Sequence, residues 1–291
     1  VMEGVEMLNG TKGAVAVRLP DGSIHTDTMD INPEPEWVKH FPIVRGVYSF
    51  FYSLILGISS LYKSASYFED EDEKEKAEKN PAKEKAEMGF SLVISFILAL
   101  AIFLYLPMFL SGSVTHFTTA KWVPILFEGI LRIVIFLLYI YLISLTPDIK
   151  RTFMYHGAEH KCINCVEHDL PLTVENVRKS SRYHKRCGTS FIFIVFIISV
   201  VLFMFIRTDN PGLKLLFRLL LMPVIAGISY EFLRLGGRSD NVVVNALSQP
   251  GLWVQRLTTK EPDDSMIEVG ITSVRAVFDP EKFIKDHELQ Q

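Results

Sequence analysis

Four stretches of this chain are almost wholly apolar and about 20 residues long, the length at which a helix crosses the hydrocarbon core of a bilayer. They run from Gly89 to Phe109, Trp122 to Leu145, Thr189 to Ile206 and Leu213 to Leu235, and the first of them, GFSLVISFILALAIFLYLPMF, carries no charge. A fifth apolar run, Ile43 to Tyr62, is interrupted by Arg45, Gly46, Gly57 and serines. It predicts a helix that packs on or dips into the membrane edge, with a full fifth span as the alternative. Elsewhere the period changes. Near the N-terminus GAVAVRLPDGSIHTD alternates about an Asp21-Gly22 turn, which predicts a small β-hairpin. From Glu69 to Glu87 the charges are mixed and apolar residues almost absent, which predicts a solvated linker. The tail reads as breaking at Pro250-Gly251. A last helix then opens near Pro262-Asp263, with Ile267, Ile271, Val274 and Phe278 on one face.

The expected fold class is therefore mainly α, a polytopic helical membrane protein with a small N-terminal β-hairpin and a cytoplasmic helical loop and tail. The divisions follow the pattern: hairpin region 1–32, interfacial or re-entrant helix 33–66, charged linker 67–88 and the first two spans 89–145. Then come a polar loop 146–188, the last two spans 189–238 and a C-terminal tail 239–291.

Composition supports this order of argument. Of 291 residues 49% are hydrophobic, and the mean hydropathy of +0.24 is high for a soluble domain. A net charge of -3 gives no basis for nucleic-acid binding, and none is expected. Its distribution says more. The 146–188 loop holds Lys150, Arg151, Lys161, Arg178, Lys179, Arg182, Lys185 and Arg186, whereas the links 111–121 and 207–214 hold few basic residues. By the positive-inside rule the loop is cytoplasmic, and four spans bring the N-terminal region and the tail to the same side. No secretory signal opens the sequence. Three cysteines cannot all pair, which argues for free or metal-bound thiols.

The candidate chemistry lies in that loop. RTFMYHGAEHKCINCVEHD contains His156-x-x-Glu159-His160, and two histidines at i and i+4 on a helix can grip one metal ion while the glutamate beside them acts as general base. With His156 at zero and about 100° per residue, His160 falls at about 40°, Glu167 at about 20° and Glu159 at about -60°, whereas Cys165 and Cys162 fall at about 180° and 240°. The expected ligand face is thus His156, His160 and Glu167, with His184 in the same loop as competitor for the third or fourth position. Cys162 and Cys165 read as small helix residues, the rival being a structural metal completed by His168 or Cys187. His25, His40, His116 and His287 stand alone. Within the spans, Glu128 and Arg132 lie one turn apart and read either as an ion pair or as the wall of a polar cavity. Arg218 and Arg234 are expected to snorkel, and Glu231 to reach the depth of the histidines.

RTFMYHGAEHKCINCVE, TVENVRKSSRYHKRCGTSF, LLLMPVIAGISYEFLRLGGR and PGLWVQRLTTKEPDDSMIEVGI, with VMEGVEMLNG and FPIVRGV near the N-terminus, together resemble the YqhQ-like family of bacterial membrane proteins. Cys187 fits that pattern, while the C-x-x-C of Cys162 and Cys165 departs from it. The resemblance implies a bacterial plasma-membrane protein, of a family labelled as metal-dependent enzymes. The expected function is a membrane-embedded, metal-dependent hydrolase, with a divalent ion, zinc first, acting on a peptide or lipid-linked substrate. A transporter or channel lined by Glu128, Arg132 and Glu231, and an assembly factor, are the alternatives. The composition leaves oligomerisation open.

Overall fold

A computed structural model describes residues 1–68, 81–120, 122–208, 210–236 and 241–288. The centre of the predicted charged linker, 69–80, lies outside the described residues. In chain order the elements are strands β1 (Gly4–Asn9), β2 (Lys12–Arg18) and β3 (Ile24–Asp30), then helices α1 (Glu36–Lys39), α2 (Pro42–Ala65) and α3 (Pro81–Leu100). A π turn, Ala101–Tyr105, leads to α4 (Leu106–Gly112), followed by α5 (Trp122–Ile143), α6 (Pro147–Glu167), α7 (Val174–Lys179) and α8 (Gly188–Phe203). The chain ends with α9 (Pro211–Gly236), α10 (Val242–Thr258), α11 (Asp264–Val277) and α12 (Pro280–Glu288).

The three strands form an antiparallel sheet in the order β1-β2-β3. The expected hairpin holds at Asp21-Gly22, between β2 and β3, and one more strand precedes it. Gly10 and Gly22, at φ 60° and 85°, take up the left-handed backbone that these two tight links require. Helix α11 covers one face of the sheet and α6 packs beside it, so that Tyr155, Ala158, Cys162 and Cys165 of α6 share a core with Met266, Ile267, Ile271 and Val274 of α11 and with Val5, Met7 and Ala16. Asp263 caps α11 by accepting the Met266 N–H at 3.0 Å, as its sequence signature predicts. Where α11 crosses α6, a Cβ on Gly270 would lie 2.9 Å from Cys162 Sγ. The two inner cysteines are therefore packing residues, fully buried in apolar surroundings.

The remaining long helices are apolar and open to their surroundings. Among the described residues four segments are long and apolar enough to cross a membrane: Pro42–Ala65, Ala86–His116, Trp122–Ile143 and Pro211–Gly236. The third expected span differs from the sequence reading. As α8 it has only 16 residues, about 24 Å against a hydrocarbon core of about 30 Å, because Cys187 caps it at one end and the chain turns after Phe203. The predicted break at Pro250 is also absent, since α10 runs through it and packs along α8.

Inside the bundle Glu128 accepts two hydrogen bonds from Arg218, both at 2.6 Å, and one from Arg132 at 2.7 Å. All three side chains are buried, so Arg218 does not snorkel. Pro107 has no N–H to give the carbonyl of Phe103 one turn earlier, and Arg132 Nε donates to that oxygen instead at 2.9 Å. Glu231 of α9 is engaged by α2. Its carboxylate pairs with Arg45 of α2 at 2.5 and 3.0 Å, where Gly46 and Gly227 let α2 and α9 approach closely.

Candidate metal centre

Helix α6 carries the H-x-x-E-H segment to the junction between the sheet module and the bundle. Its Gly157 is dictated by the segment leaving α10. The Lys260 carbonyl sits where a Cβ would project, and Lys260 N–H donates to the Phe153 carbonyl at 2.8 Å. The same segment turns the Thr258 carbonyl onto His156 Nδ1, at 2.8 Å. His160 Nδ1 meets the Arg182 carbonyl at 2.7 Å. With both Nδ1–H groups committed to backbone oxygens, both Nε2 lone pairs face inward, the arrangement that outer-shell carbonyls impose on metal-ligating imidazoles.

The third donor comes from another element. Cys187, the N-cap of α8, lies with Sγ 3.2 Å from His156 Nε2, and the donor atoms of His156, His160 and Cys187 all lie within 4.8 Å of one another. Two imidazole nitrogens and one thiolate suit zinc and leave a fourth position open. Burial pushes the Cys187 thiol up, but hydrogen bonds from His156 and His160 outweigh it and bring it down to about 5. Burial likewise disfavours charge on His156, and the bond to Cys187 overrides it, raising the imidazole to about 9. These atoms hold either a shared proton or a cation. Cys162 differs: burial first, then Cys165 and Glu159, push its thiol up, with no histidine to offset them.

Glu159 stands on the flank of α6, half-buried. Burial raises its carboxyl despite the two histidines, which act to lower it. Cavities of about 530 Å³ and 700 Å³ meet at His156 and Glu159. Glu167, expected on the ligand face, serves elsewhere. It lies two turns further along α6, 3.0 Å from His184 Nε2 and 2.5 Å from Arg186, and the hydrogen bond from His184 is the main cause of its lowered pKa. His184 keeps its ring centroid 5.9 Å from that of His160. His168 Nδ1 bonds the Asn164 carbonyl at 2.7 Å, one turn back on its own helix, and does not join the cysteines. Glu128, Arg132 and Glu231 line neither cavity.

The loop between α7 and α8 is held by buried polar side chains that sequence reasoning missed. Asn164 donates to the carbonyls of Ser181 and Tyr183 at 2.8 and 3.0 Å, and Lys161 Nζ to those of Arg178 and Ser180 at 2.9 Å. Gln255 clasps the peptide of His184 from both sides, accepting its N–H at 2.9 Å and donating to its carbonyl at 2.8 Å. The signal was the polar face of α6 itself, where Lys161 and Asn164 interrupt a buried stretch.

The family described as "Protein of unknown function (DUF1385)" matches residues 41–280. The "Uncharacterized protein YqhQ" of Bacillus subtilis (strain 168) is 38% identical over 285 residues, covering 94% of this chain and 89% of the relative. No solved structure matches.

Proposed function

This chain belongs to the DUF1385 family, and we propose that it is a membrane-embedded, metal-dependent hydrolase whose site is formed by His156, His160 and Cys187. The observation that carries the reading is the convergence of three soft or borderline donors within 4.8 Å, with both imidazoles oriented by backbone carbonyls. A divalent ion of the zinc type would supply a Lewis acid there and bring the pKa of a water to about 7. The chain's own groups do the rest. Glu159, whose carboxyl burial holds above its ordinary value, accepts and returns one proton at the cavity wall. Arg186, fixed by Glu167, offers a cation to a carbonyl or carboxylate of the substrate, a peptide or a lipid-linked molecule.

Elemental analysis of purified protein tests this directly. One zinc per chain is expected, lost in His156→Ala, His160→Ala and Cys187→Ser but kept in Glu159→Gln, which loses turnover instead. Equal metal content in His156→Ala and the parent would overturn it. A second reading is favoured by Cys187 at a helix N-terminus beside an imidazole: the thiolate itself as nucleophile, with His156 as its base. Alkylation separates the two. A thiolate bound to metal resists iodoacetamide at pH 6, and a free thiolate reacts.

For topology, the shared core of sheet, α6 and α11 supports an even number of crossings between Asp30 and Pro147, and again between Glu167 and Asp264. Of the segments before Pro147, α2 has the lowest mean hydropathy, 1.3 against 2.6 and 2.2. It also touches the module along its length: Tyr52 Oη accepts the Asn32 N–H, Ser60 donates to Glu6, and Ser64 accepts the Met2 N–H. Both facts support α2 lying along the membrane face, with α8 and α9 as the second returning pair. The basic 146–188 loop supports a cytoplasmic module, and the bacterial relative a plasma membrane.

A further inference from the structure

We infer that the groove at the metal centre takes an extended peptide, whose backbone pairs with the outer edge of β1 and whose middle crosses the site. The inference deepens the hydrolase reading and rests on it for the chemistry, though not for the binding.

Three observations point to a chain rather than a compact ligand. First, the two cavities share Met7, Leu8, His156, Glu159 and Ile163. The reactive groups thus sit where the cavities join, and the groove continues on both sides of them. A small molecule needs one closed pocket, whereas a polymer needs a passage.

Second, one wall of that passage is a strand edge. Arg18 N–H donates to the Glu3 carbonyl, and the register pairs Val5 with Ala16 and Met7 with Ala14. In an antiparallel ladder bonded pairs alternate, so the odd residues of β1 bond to β2, while the N–H and C=O groups of Gly4, Glu6 and Leu8 turn outward. Gly4, Glu6 and Leu8 border the larger cavity. Among the described residues β1 is the edge of its sheet. Its outward groups repeat at the spacing of a strand, which is what an added strand recognises.

Third, the ends of the passage differ. One carries Val274, Phe278, Phe283 and the cation of Arg186, which fits an apolar side chain and a carbonyl next to the site. The other opens beside Ser53 of α2, the face of the helical bundle.

The test uses full-length Glu159→Gln protein in detergent and a library of end-blocked random dodecapeptides. Binders are expected to slow hydrogen exchange at the amides of Glu6 and Leu8. Leu8→Pro removes one outward N–H and no ladder bond, as edge strands tolerate. It is expected to weaken binding about tenfold, the upper end for one hydrogen bond, without changing melting temperature or metal content. Leu8→Ala, which keeps the N–H and loses only groove-wall contact, should weaken binding clearly less than Leu8→Pro. Binding that leaves β1 exchange unchanged, or no binder in the library, would overturn the proposal, and the exchange readout decides even if Leu8→Pro fails to fold. Bound peptide with protected β1 amides but no turnover by the parent enzyme would count against the hydrolase reading alone.

Discussion

At the scale of single residues, the site depends on one missing methyl and one thiol. Gly157→Ala would drive a Cβ into the Lys260 carbonyl. We expect a loss of about 1–3 kcal/mol, the usual cost of overpacking, read as a lower midpoint in denaturant. Zinc should be lost with it, because the Thr258 carbonyl that orients His156 belongs to the displaced segment. A change in stability without a change in metal content would separate the two roles. Glu3 offers a second test. Its carboxylate is held below the ordinary value near 4.5 chiefly by its hydrogen bond from Arg151, at 2.5 and 2.6 Å. A lowered acidic pKa stabilises the fold above its unfolded value and loses that contribution as pH falls through the folded one. Arg151→Met should therefore lower stability at pH 7 and flatten its fall below about pH 4.5, so that variant and parent converge in acid. An unchanged acid limb would show that the pair contributes nothing. The H-x-x-E-H spacing made His156, His160 and Glu159 legible in the sequence. The meeting of Cys187 with the two histidines was not: the sequence set that thiol with Cys162 and Cys165, because a helical wheel extends one helix and says nothing about the N-cap of another 31 residues away.

At the scale of elements, the site is built where three chain segments meet: α6, the start of α8, and the link that leaves α10. Periodicity found most of these helices and the apolar face of α11, because each buries one stripe. It placed Glu167 with the histidines because phase around a helix ignores distance along it, and two turns separate Glu167 from His160. Pro250 read as a break because propensity outweighs packing when no neighbour is known; here α8 is that neighbour. The loop 178–186 has little apolar surface of its own and is held by Asn164, Lys161 and Gln255. Asn164→Ala and Gln255→Ala should each lower zinc affinity about 10–100-fold, as loss of outer-shell support does, while secondary structure stays intact by circular dichroism. Parent-like affinity in both variants would show that the loop is rigid without them.

At the scale of the whole molecule, Glu128 with Arg132 and Arg218 joins α5 to α9 inside the apolar bundle. Removing the carboxylate leaves two buried guanidiniums without their counter-charge, so Glu128→Gln should cost about 3–5 kcal/mol, whereas replacing all three by apolar residues should be close to neutral. A chelator competition that finds unchanged zinc affinity in the triple variant would confirm that the cluster is structural. If transport through the membrane is lost in that variant with stability unchanged, the cluster has a functional role. The number of crossings is open to thiol labelling: cysteines introduced at Asp30, Asp148 and Asp279 should all react from one side of sealed vesicles. A split between sides would show that the module is not assembled as described.

Helix α11 has a consequence for biosynthesis. Ser273 donates to the Val5 carbonyl across 268 positions, and the apolar face of the sheet stays uncovered until that helix is made. The first thirty residues leave the ribosome early and wait, exposed, while the helices that cross the bilayer are inserted. Only then can the C-terminal helix slide beneath them and bring Thr258 and Lys260 against α6. Assembly is thus gated by completed insertion, and a stalled or truncated chain would carry its histidines without the carbonyl that aligns them.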